Sequence, residues 1–148
     1  MRKIKFRGKR LDSGEWENGY LLVHNDGFGD GRGQCAILSG NAEFSLMTTL
    51  KFGYRNVGCE TVGQYTGVND TSKHHKGIYE DDIVLCNDEH VGVVGYVAYD
   101  DYPAFDVDFG KHQYGSDECN NISYFKATGS IEVIGNIHDN PELLCKEE

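Results

Sequence analysis

The chain has 148 residues, of which 39% are hydrophobic and 11% aromatic, a composition typical of a folded protein rather than a disordered one. Its formal net charge of −10 opposes long-range attraction to nucleic-acid phosphates and to membrane surfaces. Charged residues follow Met1 and no run of about 18 apolar residues occurs, so we expect neither a signal peptide nor a membrane span.

The first predicted element is a strand over residues 3–7 (KIKFR). Ile4 and Phe6 alternate with basic residues, which predicts one buried face and a charged outer face typical of an edge strand. A turn at 12–14 (DSG) precedes a returning strand in which we expect Trp16 to be a core anchor. Together these segments predict a β-hairpin.

This first strand is also the basic part of the chain. Six of the 14 basic residues lie in the first ten positions: Arg2, Lys3, Lys5, Arg7, Lys9 and Arg10. From Glu80 to Glu118 there are eleven acids and a single base, Lys111. A basic strand and an acidic body on one chain are complementary to each other, which allows head-to-tail contacts between copies.

A glycine-rich segment over 25–34 allows two interpretations. Its glycines could admit a phosphate and its aspartates a calcium ion, but neither a phosphate-loop nor an EF-hand spacing is present, so a flexible hairpin loop is favoured. A short strand is predicted over 35–39, a weak helical pattern over 42–52 and a strand over 60–70.

Short strands separated by polar turns dominate the second half and predict a small barrel or a rolled sheet, of which an SH3-like barrel is favoured. They cover residues 82–86, 90–100, 104–110, 122–127 and 131–139. In the third of these, alternation predicts that Asp106 and Asp108 face solvent. Asn140 and Pro141 predict a final helical turn.

The triplet Glu80, Asp81 and Asp82 allows two hypotheses. With His74 or His75 it could hold zinc or manganese, although the spacing matches no known metal motif. Alternatively, Asp82 forms a turn by accepting backbone N–H bonds, and the next residues enter the core as a strand. The second hypothesis is favoured.

Four segments in order resemble the YopX family of phage and prophage proteins: MRKIKFRGKR, VGQYTGVND, GIYEDDIV and EVIGNIHDNPELL. The resemblance spans residues 1–144 and implies a phage or prophage origin and a bacterial cytoplasm. Asp81 stands where the family pattern has glycine, and aspartate tolerates the positive φ that glycine permits there better than most residues. The resemblance implies no catalytic residues.

The cysteines are five in number, widely spaced and without a Cys-x-x-Cys pair. This pattern indicates neither a disulfide framework nor a zinc site. We therefore expect free thiols in a reducing cytoplasm.

We predict a mainly β fold in which an N-terminal antiparallel sheet region (1–70) packs on a C-terminal SH3-like barrel with its final turn (77–148). The predicted function is a non-catalytic phage accessory protein, cytoplasmic in a bacterial host, that binds itself or a host or phage protein. No cofactor, metal or membrane is predicted, and nucleic acid is disfavoured. The alternatives are an acidic nucleic-acid mimic that inhibits a basic host protein and a metal-dependent hydrolase.

Two sets of residues are the predicted interfaces. The acidic face consists of Glu80, Asp81, Asp82, Asp106 and Asp108. The basic strand consists of Arg2, Lys3, Lys5 and Arg7.

Overall fold

The computed structural model describes residues 3–24, 34–39, 53–98, 103–110 and 121–145. The mainly β prediction is confirmed, since these residues form ten strands, one α-helix and two short 3-10 helices. The chain divides into two compact units, 1–64 and 65–148. The glycine-rich segment and the weak helical pattern over 42–52 lie outside the described residues, apart from Gln34.

The first unit is an antiparallel sheet with the strand order β4-β3-β2-β1. Its strands are β1 (Phe6–Lys9), β2 (Trp16–His24), β3 (Gln34–Leu38) and β4 (Tyr54–Val57). A 3-10 helix (Cys59–Thr61) follows, and the first two residues of β5 (Gly63–Asn69) pair with β1. The predicted hairpin is confirmed, but β1 lies between two strands and is not an edge.

The two ends of β2 pair with different strands. Residues 16–19 pair with β1, and residues 20–24 pair with β3. Gly19 lies at the change, where a Cβ atom would stand 2.1 Å from the carbonyl oxygen of Leu38, so only glycine fits. The chain after β1 also reaches β4, where Arg10 forms a bridge with Val57 and Leu11 N donates to Asn56 O at 3.0 Å.

The part of the first unit that the structure describes has a small buried core. Cys35, Ile37 and Val57 are buried, and Phe6, Leu21 and Val62 pack against them. Two core predictions are wrong. Ile4 is 52% exposed, because regular strand structure begins only at Phe6, and half-buried Trp16 lies outside this cluster.

The second unit contains a sheet with the order β10-β7-β8-β9. Its elements are β7 (Asp82–Cys86), β8 (His90–Ala98), β9 (Pro103–Asp108), α1 (Ile122–Thr128) and β10 (Ile131–Asn136). The end of β5 pairs with β6 (Gly77–Tyr79), and a 3-10 helix (Pro141–Leu144) forms the predicted final turn. Asn140 precedes that turn, but its side chain makes no capping hydrogen bond.

The core of the second unit is formed by eight buried residues. They are Ile78, Val84, Cys86, Val94, Val107, Ile122, Phe125 and Ile131. The SH3-like barrel is not confirmed, since the described residues contain no closed barrel and residues 122–128 form a helix instead of the predicted strand. Asn121 caps that helix by accepting a hydrogen bond from Ser123 N at 2.8 Å.

A disulfide joins Cys35 on β3 to Cys59 on the 3-10 helix of the first unit. The expectation of free thiols is therefore wrong for these two residues, whereas Cys86 and Cys145 are free. The partners are 24 residues apart in sequence, and only the fold of β3 against the segment after β4 brings their Cα atoms to 5.2 Å.

Candidate functional site

The triplet Glu80–Asp82 forms the turn that leads into β7. Asp82 is buried, and its Oδ2 accepts a hydrogen bond from Tyr79 N at 2.8 Å. The prediction that Asp82 is a turn-former is confirmed. Its carboxylate is therefore part of the scaffold and not of a solvent-facing acidic surface.

Asp81 occupies the position at which a positive φ was expected. Its φ is 64°, and its main chain joins two other elements, since Asp81 N donates to Val94 O and Ile137 N donates to Asp81 O. The Asp81 Oδ2 atom lies 3.4 Å from Nε2 of His138, and both side chains are partly buried. The turn therefore connects β7 to β8 and to the loop after β10.

We expect Asp81→Ala to lower the free energy of unfolding by about 1 kcal/mol, because alanine is strained at this φ and loses the contact with His138. Asp81→Gly loses the same contact but is unstrained, so it should retain more stability than the alanine variant. Urea unfolding of both variants measures the difference. Equal midpoints would show that backbone strain at residue 81 does not matter.

The acidic face is smaller than predicted. Asp106 is only 5% exposed, and the prediction that it faces solvent is wrong. Adjacent strand residues point to opposite faces, and Val107 is buried as well, so both faces of β9 are covered at this point. Asp108 is exposed, with Oδ1 accepting a hydrogen bond from Gly110 N at 2.7 Å.

Sequence reasoning missed other exposed acids. Asp88 and Glu89 lie in the turn between β7 and β8, and Glu132 lies on β10. Asn87 and Asp88 both have positive φ, and an Asn-Asp pair between two apolar runs is the signal that would have located this turn. We use the name exposed acids of the second unit for Asp88, Glu89, Asp108 and Glu132, which lie on or beside strands β7 to β10; Asp139 and Glu142 are also exposed but follow β10 and are not included.

The proposed metal ligands are not brought together into one site. His74 and His75 are exposed in the loop before β6, while the Asp82 carboxylate turns inward to Tyr79 N. Within the described ranges, no three His, Cys, Asp or Glu side chains are placed so that they could share a metal ion.

Asp70 is a structural centre that the sequence did not single out. It is fully buried, and its Oδ1 accepts hydrogen bonds from Lys76 N at 2.8 Å and Ser72 Oγ at 2.9 Å. Its Oδ2 accepts from Val133 N on β10 at 3.4 Å. Thr71 continues this link, since its backbone N donates to Ile131 O at 2.8 Å. The VGQYTGVND segment therefore anchors the start of β10.

The first unit carries an exposed apolar row on the side of the sheet opposite its core. Tyr20 lies opposite Leu38, and Leu38 lies opposite Tyr54, so the three side chains form a cross-strand row. Tyr20 is 63% exposed and Tyr54 is 58% exposed. Leu22, which is also exposed, lies two residues along β2 on the same face.

Basic side chains border this row. Arg7 and Lys9 point to the same side as Trp16, which is opposite Lys9 in the register, and the Arg7 guanidinium lies 4.7 Å from the centre of the Trp16 ring. Lys3 and Lys5 are exposed just before β1. Arg2 lies outside the described residues. We call the set Lys3, Lys5, Arg7, Lys9, Trp16, Tyr20, Leu22, Leu38 and Tyr54 the outer face of the first unit.

Arg10 is engaged within its own hairpin. Its guanidinium donates two hydrogen bonds to Asp12, at 2.8 and 2.9 Å, and lies 3.5 Å from Glu15. The side-chain hydrogen bond lowers the pKa of the Asp12 carboxyl and raises the pKa of Arg10. Arg10 therefore stabilises the hairpin turn and is not counted in the outer face.

The charges divide at the boundary between the units. The first unit has nine Lys and Arg residues against seven Asp and Glu, a net charge of +2, and the second has five against seventeen, a net charge of −12. The charge asymmetry of the sequence therefore coincides with the division into two compact units.

Comparison with known proteins decides the family. The family model described as YopX protein matches residues 5–145, nearly the whole chain. The chain belongs to the YopX family. The resemblance of the four sequence segments is confirmed, and the positive φ of Asp81 shows that the turn accepts aspartate in place of the family's glycine.

The fold of this YopX-family chain also occurs in a solved structure. The crystal structure of protein EF1440 from Enterococcus faecalis is similar, with a TM-score of 0.50 and 20% sequence identity over 98% of this chain and 100% of that chain. A search of curated proteins with this sequence finds no match. Among the described residues, the helices are too short and too polar to cross a bilayer.

Proposed function

We propose that this YopX-family chain is a non-catalytic binding protein that joins copies of itself head to tail. The outer face of the first unit of one copy binds the exposed acids of the second unit of another copy. The observation that carries this proposal is the division of charge, +2 on one unit and −12 on the other. Complementary charge steers such an encounter and sets its orientation.

The apolar row also supports the proposal, because it offers a surface that can pack against another copy. Single exposed apolar residues are ordinary on protein surfaces, but a contiguous row on one sheet face is typical of an interaction site. Tyr20 and Tyr54 are of the residue type enriched at interfaces, because tyrosine combines a large apolar ring with a polar end. Burial of the row would supply affinity, and the flanking charges would supply orientation.

A head-to-tail contact uses two different surfaces of each copy. Such contacts form closed rings or open chains instead of simple dimers. The proposal therefore includes an assembly with more than two copies at high protein concentration. Family membership supports a phage or prophage origin, and we place the assembly in the cytoplasm of a bacterial host.

The alternative function is inhibition of a basic host protein by the acidic second unit. Its net charge of −12 favours this alternative, because a nucleic-acid mimic must present negative charge to a phosphate-binding surface. In that case the purified chain stays monomeric, and the second unit needs no contribution from the outer face.

Light scattering tests the proposal. We expect the weight-average mass to rise above 16.5 kDa with protein concentration at low salt and to fall towards it at about 0.5 M salt, where surface charges are screened. Tyr20→Ser combined with Tyr54→Ser should weaken association at least about tenfold, since each substitution removes a buried aromatic contact.

The matched control is Tyr124→Ser. Tyr124 is an exposed tyrosine of the second unit that belongs to neither proposed surface, so its loss should leave association unchanged. A mass of 16.5 kDa at every concentration at low salt would contradict head-to-tail assembly and favour the inhibitor alternative.

A further inference from the structure

The Cys35–Cys59 disulfide borders an open cleft of the first unit. Cys35 is 9% exposed on β3, whereas Cys59 is exposed on the 3-10 helix. The cleft has a volume of about 610 Å³ and is lined by both cysteines together with Gln34, Asn56 and Glu60, among others. The more exposed partner of the disulfide, Cys59, is therefore the one that we expect a small thiol in this cleft to attack.

The disulfide is one attachment of the 3-10 helix to the sheet, and a set of hydrogen bonds is another. On one side Gly58 N donates to Lys9 O at 2.9 Å, and Lys9 N donates to Thr61 Oγ1 at 2.8 Å, which ties the helix segment to β1. On the other side the disulfide ties Cys59 to β3. Loss of the disulfide would leave the first attachment in place and release the second.

The first unit depends strongly on that second attachment. Among the described residues of this unit the buried cluster has three members, and one of them is Cys35 itself. Small cores need cross-links more than large ones do, and this disulfide closes a long loop between residues 24 apart. The second unit has a core of eight buried residues and does not share this dependence.

We propose that Cys35–Cys59 is a redox site, opened by a dithiol reductant, whose state controls the stability of the first unit. The outer face lies on strands of that unit, so the site also regulates self-association, a consequence that rests on the function proposed above. Disulfides in reducing compartments are usually transient or redox-sensing, and the bacterial cytoplasm is such a compartment.

The reaction is a two-step thiol–disulfide exchange. A thiolate of the dithiol attacks Cys59 Sγ, the bond to Cys35 Sγ breaks, and Cys35 leaves as a thiolate that takes up a proton. The second thiol of the reductant then attacks the reductant's other sulfur, which is bonded to Cys59 in the mixed disulfide. This attack releases Cys59. The protein gains two thiols, and the dithiol becomes a disulfide.

The free cysteines of the described residues leave this exchange undisturbed. Cys86 is buried in the core of the second unit, and burial raises the pKa of its thiol to about 12, so it stays protonated and does not attack. Cys145 is exposed at the end of the second unit and can be replaced by serine in a test.

The test is a titration of the full chain carrying Cys145→Ser in buffers with stepped ratios of reduced to oxidised dithiothreitol. After alkylation, intact mass counts the new thiols, and peptide mapping assigns them. We expect Cys35 and Cys59 to become alkylated together in one two-electron transition. A pair that stays oxidised in excess reductant, or reduced in excess oxidant, would overturn the proposal.

Stability is read in the same samples from the fluorescence of Trp16, the single tryptophan, which lies in the first unit. We expect reduction to raise the unfolded population of the first unit about a hundredfold or more, a size set by loop closure. The double variant Cys35→Ser, Cys59→Ser should have the stability of the reduced chain at every ratio of reduced to oxidised dithiothreitol. An unchanged urea midpoint after reduction would overturn control of the first unit.

Light scattering of the oxidised and reduced chain separates this inference from the proposed function. Association that is lost on reduction supports both the redox site and the proposed function. If the oxidised chain never associates, the proposed function fails, while thiol counts and fluorescence still decide the redox site. If association is the same in both states, the regulatory consequence is overturned.

Discussion

Phe125→Ala is expected to lower the free energy of unfolding of the second unit by about 3 to 5 kcal/mol. Among the described residues, Phe125 is the largest fully buried side chain, and it lies on α1, where its ring centre is 5.8 Å from that of Phe109. Alanine would remove the ring from the centre of the eight-residue cluster and leave a cavity that the surrounding strands cannot fill.

Hydrogen exchange of peptides from β7 and β10 measures this loss, because their amides exchange by opening of the second unit. Phe125→Leu is the matched control and should cost about 1 to 2 kcal/mol, since most of the buried volume remains. A cost below about 1 kcal/mol for the alanine variant would contradict the central position of α1 in this core.

Asp70→Ala is expected to cost about 3 to 4 kcal/mol. The substitution leaves three donors without their acceptor in a buried site: Lys76 N, Ser72 Oγ and Val133 N. Unsatisfied buried donors are costly because they have lost their hydration and gained no partner. We expect the connection between the 70–76 loop and β10 to loosen first.

Asp70→Asn removes the negative charge but keeps an oxygen that accepts hydrogen bonds. The amide oxygen still accepts from Lys76 N and Ser72 Oγ, while its NH₂ group faces the Val133 N–H donor, so the cost should be about 1 to 2 kcal/mol. Chemical unfolding of both variants, followed by circular dichroism, gives the comparison. Equal costs for alanine and asparagine would mean that Asp70 acts through its charge and not through this hydrogen-bond set.

Local patterns predicted the strand that turn residues and a short apolar run delimit. Residues 82–86 were placed with the correct bounds, and the role of Asp82 followed from turn chemistry alone. Residues 122–127 were predicted to be a strand, but the helix α1 covers them. Ile122 and Phe125 are buried three residues apart, which is a helical spacing, but in so short an apolar segment helical spacing and strand alternation cannot be told apart.

Features that depend on tertiary contacts were outside the reach of the sequence. Asp106 was predicted to face solvent because the alternation of side chains assigns each residue to one face of a strand. Alternation does not say which other elements cover that face. The pairing of Cys35 with Cys59 depends on the fold, since spacing alone does not give disulfide connectivity. The Tyr20–Leu38–Tyr54 row requires the register of β2, β3 and β4, which no local signal contains.

A mixing experiment tests head-to-tail assembly most directly, using two variants that each lack one surface. The first carries Lys3→Gln, Lys5→Gln, Tyr20→Ser and Tyr54→Ser, which disables the outer face. The second carries Asp88→Asn, Glu89→Gln, Asp108→Asn and Glu132→Gln, which neutralises the exposed acids with isosteric side chains. Asparagine tolerates the positive φ at residue 88 and retains an acceptor at residue 108.

Sedimentation velocity at low salt gives the result. The account predicts that each variant alone sediments as a monomer, and that an equimolar mixture forms a one-to-one complex, because each variant retains the surface that the other lacks. A mixture that contains only monomers would contradict the account. Self-association of the second variant alone would also contradict it, since that would mean that outer face binds outer face.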